Sequence, residues 1–192
     1  MKLAKKMTFI FEGIRGSGKS TQIKMLKERL ERIGFNVGLS DNSSLVYPLS
    51  KNLREYIKKE NLFTSEILLH QLTNITKVEP LLGIYDILLI DRFLLSNLVY
   101  TRARSKFEDI DLEEEVVRET ILNPFNLNYL ELTNTIYLDC DLSIAKVRIG
   151  DRSSRSDFND DLQKYARQFY IEELERYKWD FCFVNGEKDL KN

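Results

Sequence analysis

Histidine is nearly missing from this chain: His70 is the single one among 192 residues. That scarcity argues against a histidine-based triad and against a multi-histidine metal centre. Cysteine is almost as rare. Cys182 sits inside an apolar run and Cys140 just past the end of another, which predicts two small core side chains in a reducing compartment rather than a metal site. Three prolines and eight glycines leave no room for a long low-complexity linker, and no repeat of solenoid period is visible. Neither sign of charge is in excess. Lys and Arg total 29, Asp and Glu 30, and the net charge is -1, so the basic surplus typical of nucleic-acid binders is lacking. No stretch approaches the about 18 uncharged apolar residues of a membrane span. The basic start, Met1-Lys2-Leu3-Ala4-Lys5-Lys6, leads into a short apolar run broken by Glu12 and glycines, unlike a signal-peptide core. The expectation is a cytoplasmic protein with neither nucleic acid nor membrane as partner.

What the sequence does contain is an alternation of strands and helices. Apolar runs at Met7–Phe11, Val37–Ser40, Ile84–Ile90, Thr135–Leu138 and Phe181–Val184 read as five buried strands. Between them, helical spacing runs from Lys19, with Ile23, Leu26, Leu30 and Ile33 on one face and Gly34 as its stop. Further helices are expected over Ser50–Glu60, Thr64–Val78, Leu94–Arg104, Leu112–Leu122 and Leu162–Trp179. Another runs through Ile149 with Asp141 as its N-cap. This order predicts one α/β domain over residues 1–192, a mostly parallel five-stranded sheet flanked by helices. In such sheets ligands bind at the carboxyl ends of the strands. The most chemical segments of the sequence fall there.

The first is Gly13-Ile14-Arg15-Gly16-Ser17-Gly18-Lys19-Ser20, which satisfies G-x-x-x-x-G-K-[ST] between a strand and an amphipathic helix, as in a P-loop NTPase. Glycines let backbone N–H groups turn inward around phosphate oxygens, and the helix N-terminus adds positive potential. Gly13, Gly16, Ser17 and Gly18 would form the cradle, Lys19 would bridge the β- and γ-phosphates of ATP, and Ser20 would ligate Mg²⁺. Thr21 either holds the α-phosphate or is an ordinary first-turn residue. The second segment is Asp91-Arg92 after the third strand, a carboxylate able to reach Mg²⁺ and a guanidinium able to grip an acceptor phosphate through two N–H groups. The third is Arg148, Arg152 and Arg155, spaced to share one face while helical, inside the polar stretch 148–160.

Phe11-Glu12-Gly13 before the loop, Asp91-Arg92-Phe93 with Ser96 and Tyr100 behind it, and Arg148, Arg152 and Arg155-Ser156-Asp157 together resemble the thymidylate kinase family. So does Phe169-Tyr170 in the helix that follows. The resemblance implies transfer of the ATP γ-phosphate to dTMP or a related pyrimidine monophosphate, with Mg²⁺ and possible homodimers. It makes residues 148–160 a lid whose Arg152 and Arg155 stabilise the transferring phosphate while Arg148 attends the donor. Tyr100 and Arg92 would hold the acceptor. Leu94–Tyr100 offers an apolar face for either a dimer or the core.

Several positions depart from the family pattern. Arg15 stands where an acidic residue usually approaches the acceptor's sugar; it points to donor or acceptor phosphates, or is a plain loop residue. Ser40-Asp41-Asn42-Ser43-Ser44 replaces the usual Arg-Glu-Pro-Gly-Gly. His70 falls at the base-stacking Phe, Asn74 at an Arg, and Thr101 at a Gln. These changes bear on the acceptor and leave phosphoryl transfer intact. The alternatives are a deoxynucleoside or other small-molecule kinase on the same scaffold, and a regulatory NTP-binding protein.

Overall fold

The computed structural model describes residues 6–40, 48–60, 62–122, 133–150, 159–177 and 181–185. Five strands form one sheet: β1 (Met7–Glu12), β2 (Val37–Ser40), β3 (Ile87–Asp91), β4 (Thr133–Asp139) and β5 (Phe181–Asn185). Their order is β2-β3-β1-β4-β5, and every pairing is parallel. Parallel neighbours need crossover connections, and the intervening helices supply them. Among the described residues these are α1 (Lys19–Arg32), α2 (Pro48–Lys59), α3 (Phe63–Val78), α4 (Leu94–Glu108), α5 (Glu114–Leu122), α6 (Leu142–Ile149) and α7 (Asp160–Tyr177).

The five expected strands and the helices between them are present, with shifted ends. Among the strands the largest shift is at the third. The apolar run from Ile84 enters the ladder only at Ile87, because Gly83 (φ 74°) turns the chain and leaves Ile84 exposed. At the end of α1, Ile33 extends the apolar spacing but lies past the last helical residue and is 70% exposed, while Ile23 is buried. Cys140 is buried, as expected, although Asp139 and Asp141 flank it. Cys182 is exposed, since β5 is the edge strand and pairs with β4 alone. Asp141 caps α6 as expected, its Oδ1 accepting the Ser143 N–H at 2.8 Å. The apolar face over Leu94–Tyr100 belongs to the core: Leu94, Leu95, Leu98 and Val99 are all buried against the sheet and neighbouring helices.

Two charged clusters tie helices to the frame. The buried carboxylate of Glu173 on α7 accepts from Arg102 Nη1 of α4 at 2.5 Å and from Arg118 Nη2 of α5 at 2.6 Å. Arg102 also stacks 4.0 Å over the Phe169 ring. The acidic residues that open α5 are drawn into this cluster: Glu114 pairs with Arg102 and Glu115 with Arg118 and Arg176. At the carboxyl end of β4, Arg167 of α7 forks onto Asp139, Nε to Oδ1 at 2.7 Å and Nη2 to Oδ2 at 2.6 Å. That bidentate contact, more than any other cause, holds the Asp139 carboxyl below its ordinary value of 3.8.

A depressed carboxyl pKa adds stability above the unfolded value that disappears as pH falls through the folded one. Asp139→Asn is therefore expected to melt below the wild-type protein at pH 7. The two melting curves should converge as pH drops below 3.8. A gap that persists unchanged into acid would show that the charge plays no part.

Candidate active site

The site lies where β3, β1 and β4 end side by side. Pairing of Phe11 with Asp91 and of Glu12 with Tyr137 sets the register, so the turn after β1 and the turn after β3 leave the sheet together. The chain after β1 is so crowded that a side chain has no room at two positions. A Cβ on Gly13 would lie 2.4 Å from the Leu138 carbonyl oxygen, and one on Gly16 would lie 2.4 Å from that of Ala145. Both glycines also have positive φ, 142° and 83°. The loop thus wraps down to Lys19, where α1 begins with Gly18 at its N-cap and no side chain capping its first turn.

Inside the loop the buried Lys19 ammonium donates to the carbonyls of Gly13 (3.0 Å) and Ile14 (2.7 Å) and to Ser17 Oγ (3.2 Å). Burial, and then the nearby Arg92 cation, pull its pKa well below the usual lysine value; Asp91 and Glu12 pull the other way. Incoming phosphates would oppose that depression, so this ammonium gains most from an anion. Ser20 Oγ donates to Asp91 Oδ2 at 2.8 Å. Arg148 of α6 brings a guanidinium beside the loop, its Nη1 3.6 Å from Cys140 Sγ and 3.9 Å from where a Cβ on Gly18 would stand. Thr21 is exposed in the first turn of α1.

Arg92 leaves β3 in the left-handed region, at φ 67°, a conformation that costs a non-glycine residue energy. Its N–H is fixed by the Phe11 carbonyl at 3.0 Å. Its guanidinium donates from Nη1 to Ser96 Oγ (3.4 Å) and Tyr170 Oη (3.3 Å) and lies 5.1 Å over the Tyr100 ring. Behind these groups stands Glu12, fully buried at the end of β1. Its Oε1 accepts the N–H groups of Phe93 (3.0 Å) and Ser96 (3.3 Å); its Oε2 accepts the hydroxyls of Tyr170 (3.0 Å) and Ser96. Burial pushes the Glu12 carboxyl above its ordinary range despite those donors.

Arg92 and Tyr100 open onto a cavity of about 610 Å³ whose lining also includes Arg15, His70, Asn74 and Gln163. A volume of that size suits a nucleotide. The buried Gln163 side chain fixes one wall: its Oε1 accepts from the Arg15 N–H at 3.2 Å and from Tyr100 Oη–H at 3.0 Å. Farther along α4, Arg104 pairs with Glu66 of α3, and His70 Nε2 lies 3.7 Å from the same carboxylate. Since a helix rises 1.5 Å per residue, Arg104 stands about 12 Å beyond Ser96 along α4. The cavity therefore has a cationic end at Arg15 and Arg92 and a mixed-charge end at Glu66 and Arg104.

A family profile described as thymidylate kinase matches residues 11–192, almost the whole chain. The chain belongs to the thymidylate kinase family. Among similar proteins, a thymidylate kinase of Thermoanaerobacter sp. (strain X514) is 31% identical over 193 residues, covering 94% of this chain and 89% of its own length. A probable thymidylate kinase of Thermococcus kodakarensis is 26% identical, with coverages of 96% and 92%. A deoxyadenosine kinase from M. mycoides, solved with the products dCMP and dCDP, superposes with a TM-score of 0.66. It is 19% identical and covers 96% of this chain and 93% of its own, a likeness of fold. The P-loop kinase architecture read from the sequence is the one observed.

Most of the expected site residues come together. Gly13, Gly16, Ser17, Gly18, Lys19, Ser20, Asp91 and Arg148 gather around the loop; Arg92, Tyr100, His70, Asn74 and Arg15 meet at the cavity. Arg152 and Arg155, with most of the expected lid, lie outside the described residues, as does the stretch 41–44. Sequence reasoning missed Glu12 as a working group, although an acid closing a buried strand with no basic neighbour in sequence is a usable signal. It also missed Gln163, Glu66 and Arg104, which face the cavity only because three helices converge there. Tyr170, which enters the sequence reading only as part of the family resemblance, is fully buried and places its hydroxyl against Glu12 and Arg92.

Because a Cβ at position 16 collides with the Ala145 backbone, Gly16→Ala must displace either the loop or α6. ATP affinity of that variant is expected to fall by about tenfold or more, equivalent to about 1.4 kcal/mol. Calorimetric titration with ATP gives the number, and affinity within twofold of wild type would show that the close approach is not needed for the cradle.

Proposed function

We propose that this chain transfers the γ-phosphate of ATP to the 5′-phosphate of dTMP or a related pyrimidine monophosphate. The observation that carries the reading is the placement of Arg92: it is held in a strained backbone conformation beside the phosphate loop, with its guanidinium turned into the acceptor-sized cavity. A phosphorylated acceptor gives such a cation something to bind; an unphosphorylated nucleoside does not. Arg15, on the same cavity, supplies a second cation at the acceptor phosphate.

In this reading Lys19 leaves its loop carbonyls for the β- and γ-phosphate oxygens, while the inward N–H groups of the loop hold the rest of the donor. Ser20 and Asp91 offer a hydroxyl and a carboxylate within 2.8 Å of each other at the edge of the cradle, hard oxygen donors of the kind Mg²⁺ takes in small number beside phosphates. Bound there, Mg²⁺ would supply charge neutralisation between donor and leaving oxygens. Arg92 and Arg15 align the attacking phosphate, and Arg148, with Arg152 and Arg155 from the lid, offsets charge spreading over the transferred group. Closure of the lid would also keep water from acting as acceptor. The chemistry is in-line transfer with no covalent intermediate, in a cytoplasmic enzyme of nucleotide synthesis.

The decisive measurement is ADP release over all common nucleoside monophosphates and the matching nucleosides, with Mg-ATP. Pyrimidine monophosphates should be phosphorylated and nucleosides should not. Lys19→Ala should lose at least about 100-fold in kcat, the scale for removing one charge-stabilising donor. Transfer to no monophosphate would overturn the reading, and transfer to nucleosides instead would replace it with the deoxynucleoside kinase alternative. Arg15→Ala separates that residue's role: its KM for the acceptor should rise by about tenfold or more, as for a lost charge-assisted hydrogen bond, with KM for ATP unchanged. Unchanged acceptor affinity would return Arg15 to an ordinary loop position.

A further inference from the structure

We infer that Glu12 is a positioning residue for the acceptor phosphate, acting on Arg92 through the hydroxyls of Ser96 and Tyr170. The inference rests on the reading of Arg92 as the acceptor clamp and goes beyond it by naming what aims the clamp.

An ionised carboxylate only accepts hydrogen bonds. Ser96 Oγ and Tyr170 Oη both lie within hydrogen-bond reach of Glu12 Oε2 and are 2.6 Å from each other. Each hydroxyl has one proton. With Glu12 ionised, both protons turn toward the carboxylate, either directly or with Tyr170 donating through Ser96. What remains on each oxygen is a lone pair. Arg92 Nη1 donates into both, at 3.4 Å and 3.3 Å. Guanidinium groups only donate, so this direction of wiring is the one that suits Arg92.

Two further observations make the arrangement specific to Arg92. Among the described residues, no carboxylate lies within ion-pair distance of Arg92, so its nearest fixed countercharge is reached through two neutral oxygens. A direct ion pair would occupy the donors that an incoming phosphate needs. The relay instead anchors Nη1 and leaves the other nitrogens of the fork to the cavity, where Arg92 is part of the lining. Second, Glu12 is fully buried, and a carboxylate in that position is costly unless its environment uses the charge. Its backbone partners, Phe93 and Ser96, follow Arg92 directly in the chain, so the same carboxylate also fixes the turn from which Arg92 emerges.

Glu12→Gln tests the wiring with almost no change of shape. The amide oxygen can still accept the N–H groups of Phe93 and Ser96. Its NH₂ now donates toward Ser96 and Tyr170, taking lone pairs that Arg92 used and reversing the hydroxyls. With dTMP as acceptor, or whichever monophosphate the wild-type enzyme phosphorylates best, Glu12→Gln should raise acceptor KM about tenfold while KM for ATP stays within about twofold. Tyr170→Phe, which keeps the ring, should raise acceptor KM about threefold. The double variant should be no worse than Glu12→Gln alone, because both act through one relay. A purely structural role would lower the melting temperature without this split between substrates.

Acceptor KM unchanged in Glu12→Gln, or additive effects in the double variant, would overturn the inference. If Glu12→Gln does not fold, Tyr170→Phe and Ser96→Ala decide it: acceptor KM unchanged in both overturns it, and a rise in each supports it. Calorimetric titration of dTMP without ATP keeps the inference apart from the reading beneath it. Wild-type protein that binds dTMP without transferring phosphate would fail the functional reading alone. Equal dTMP affinity in wild type and Glu12→Gln would fail the wiring alone.

Discussion

The buried carboxylate of Glu12 is the point from which the acceptor side of this molecule is built. Helix α4 starts at Leu94, and its N-cap residue, Phe93, has no side chain with which to cap it. Helix starts leave several N–H groups without partners, and here two nearby ones are satisfied from another element, by Glu12 at the end of β1. The negative charge also stands at the positive end of the helix dipole, where it is most welcome. Through Tyr170 the same carboxylate reaches α7. One side chain therefore fixes the strand that carries the phosphate loop, the helix that forms the cavity wall and the helix that closes behind it.

That arrangement imposes an electrostatic balance on the loop. Burial strips water from both Lys19 and Arg92, and Arg92 is close enough to disfavour the charge on Lys19. Glu12 and Asp91 offset part of this, and the net fields keep Arg92 protonated above its already high ordinary value while Lys19 is pulled down. The two cations thus differ in kind. Arg92 is a permanent charge with fixed direction, suited to holding a ligand in one orientation. Lys19 is a compact ammonium parked on two loop carbonyls and the Ser17 hydroxyl, all neutral oxygens. Away from the site, the Glu173 cluster repeats the same economy with opposite sign: one buried carboxylate serves two arginines and pins α4, α5 and α7 together.

Much of this was legible in the sequence, for reasons that differ by element. The glycine loop was readable because its demands are on the backbone: Gly13 and Gly16 occupy places where a Cβ would strike a neighbouring carbonyl, so residue identity and geometry are locked together. Val37–Ser40 was readable to the residue, being a short apolar run bounded by polar ends. Ile84 and Ile33 were misplaced because apolar spacing says nothing of where a turn intervenes, and Gly83 and the end of α1 decided those positions. Cys182 was misplaced because burial of a strand residue depends on what covers the strand, which sheet order alone reveals. The Glu12 relay was illegible for a deeper reason. Its members are separated by 84 and 158 positions along the chain, and no local pattern encodes that convergence.

The same distinction explains where this chain differs from its family. The donor side is defined by backbone N–H groups and by a lysine confined within them, so substitution there breaks the cradle. The acceptor side is defined by side chains on the faces of α3 and α4 and by one loop residue. Arg15, His70, Asn74 and Thr101, four of the five described positions at which the family pattern is not followed, line the cavity beside Arg92, while the fifth, Ser40, is buried at the end of β2. With the Glu66–Arg104 pair, the four make much of the polar lining of that cavity. Arg15 adds positive charge at the end nearest Arg92, where an acidic residue would have repelled a phosphate. His70 and Asn74 put hydrogen-bonding groups in place of an aromatic face and a fixed cation. An acceptor of the kind proposed above would meet two cations, Arg15 and Arg92, at one end of the cavity and a mixed-charge lining at the other.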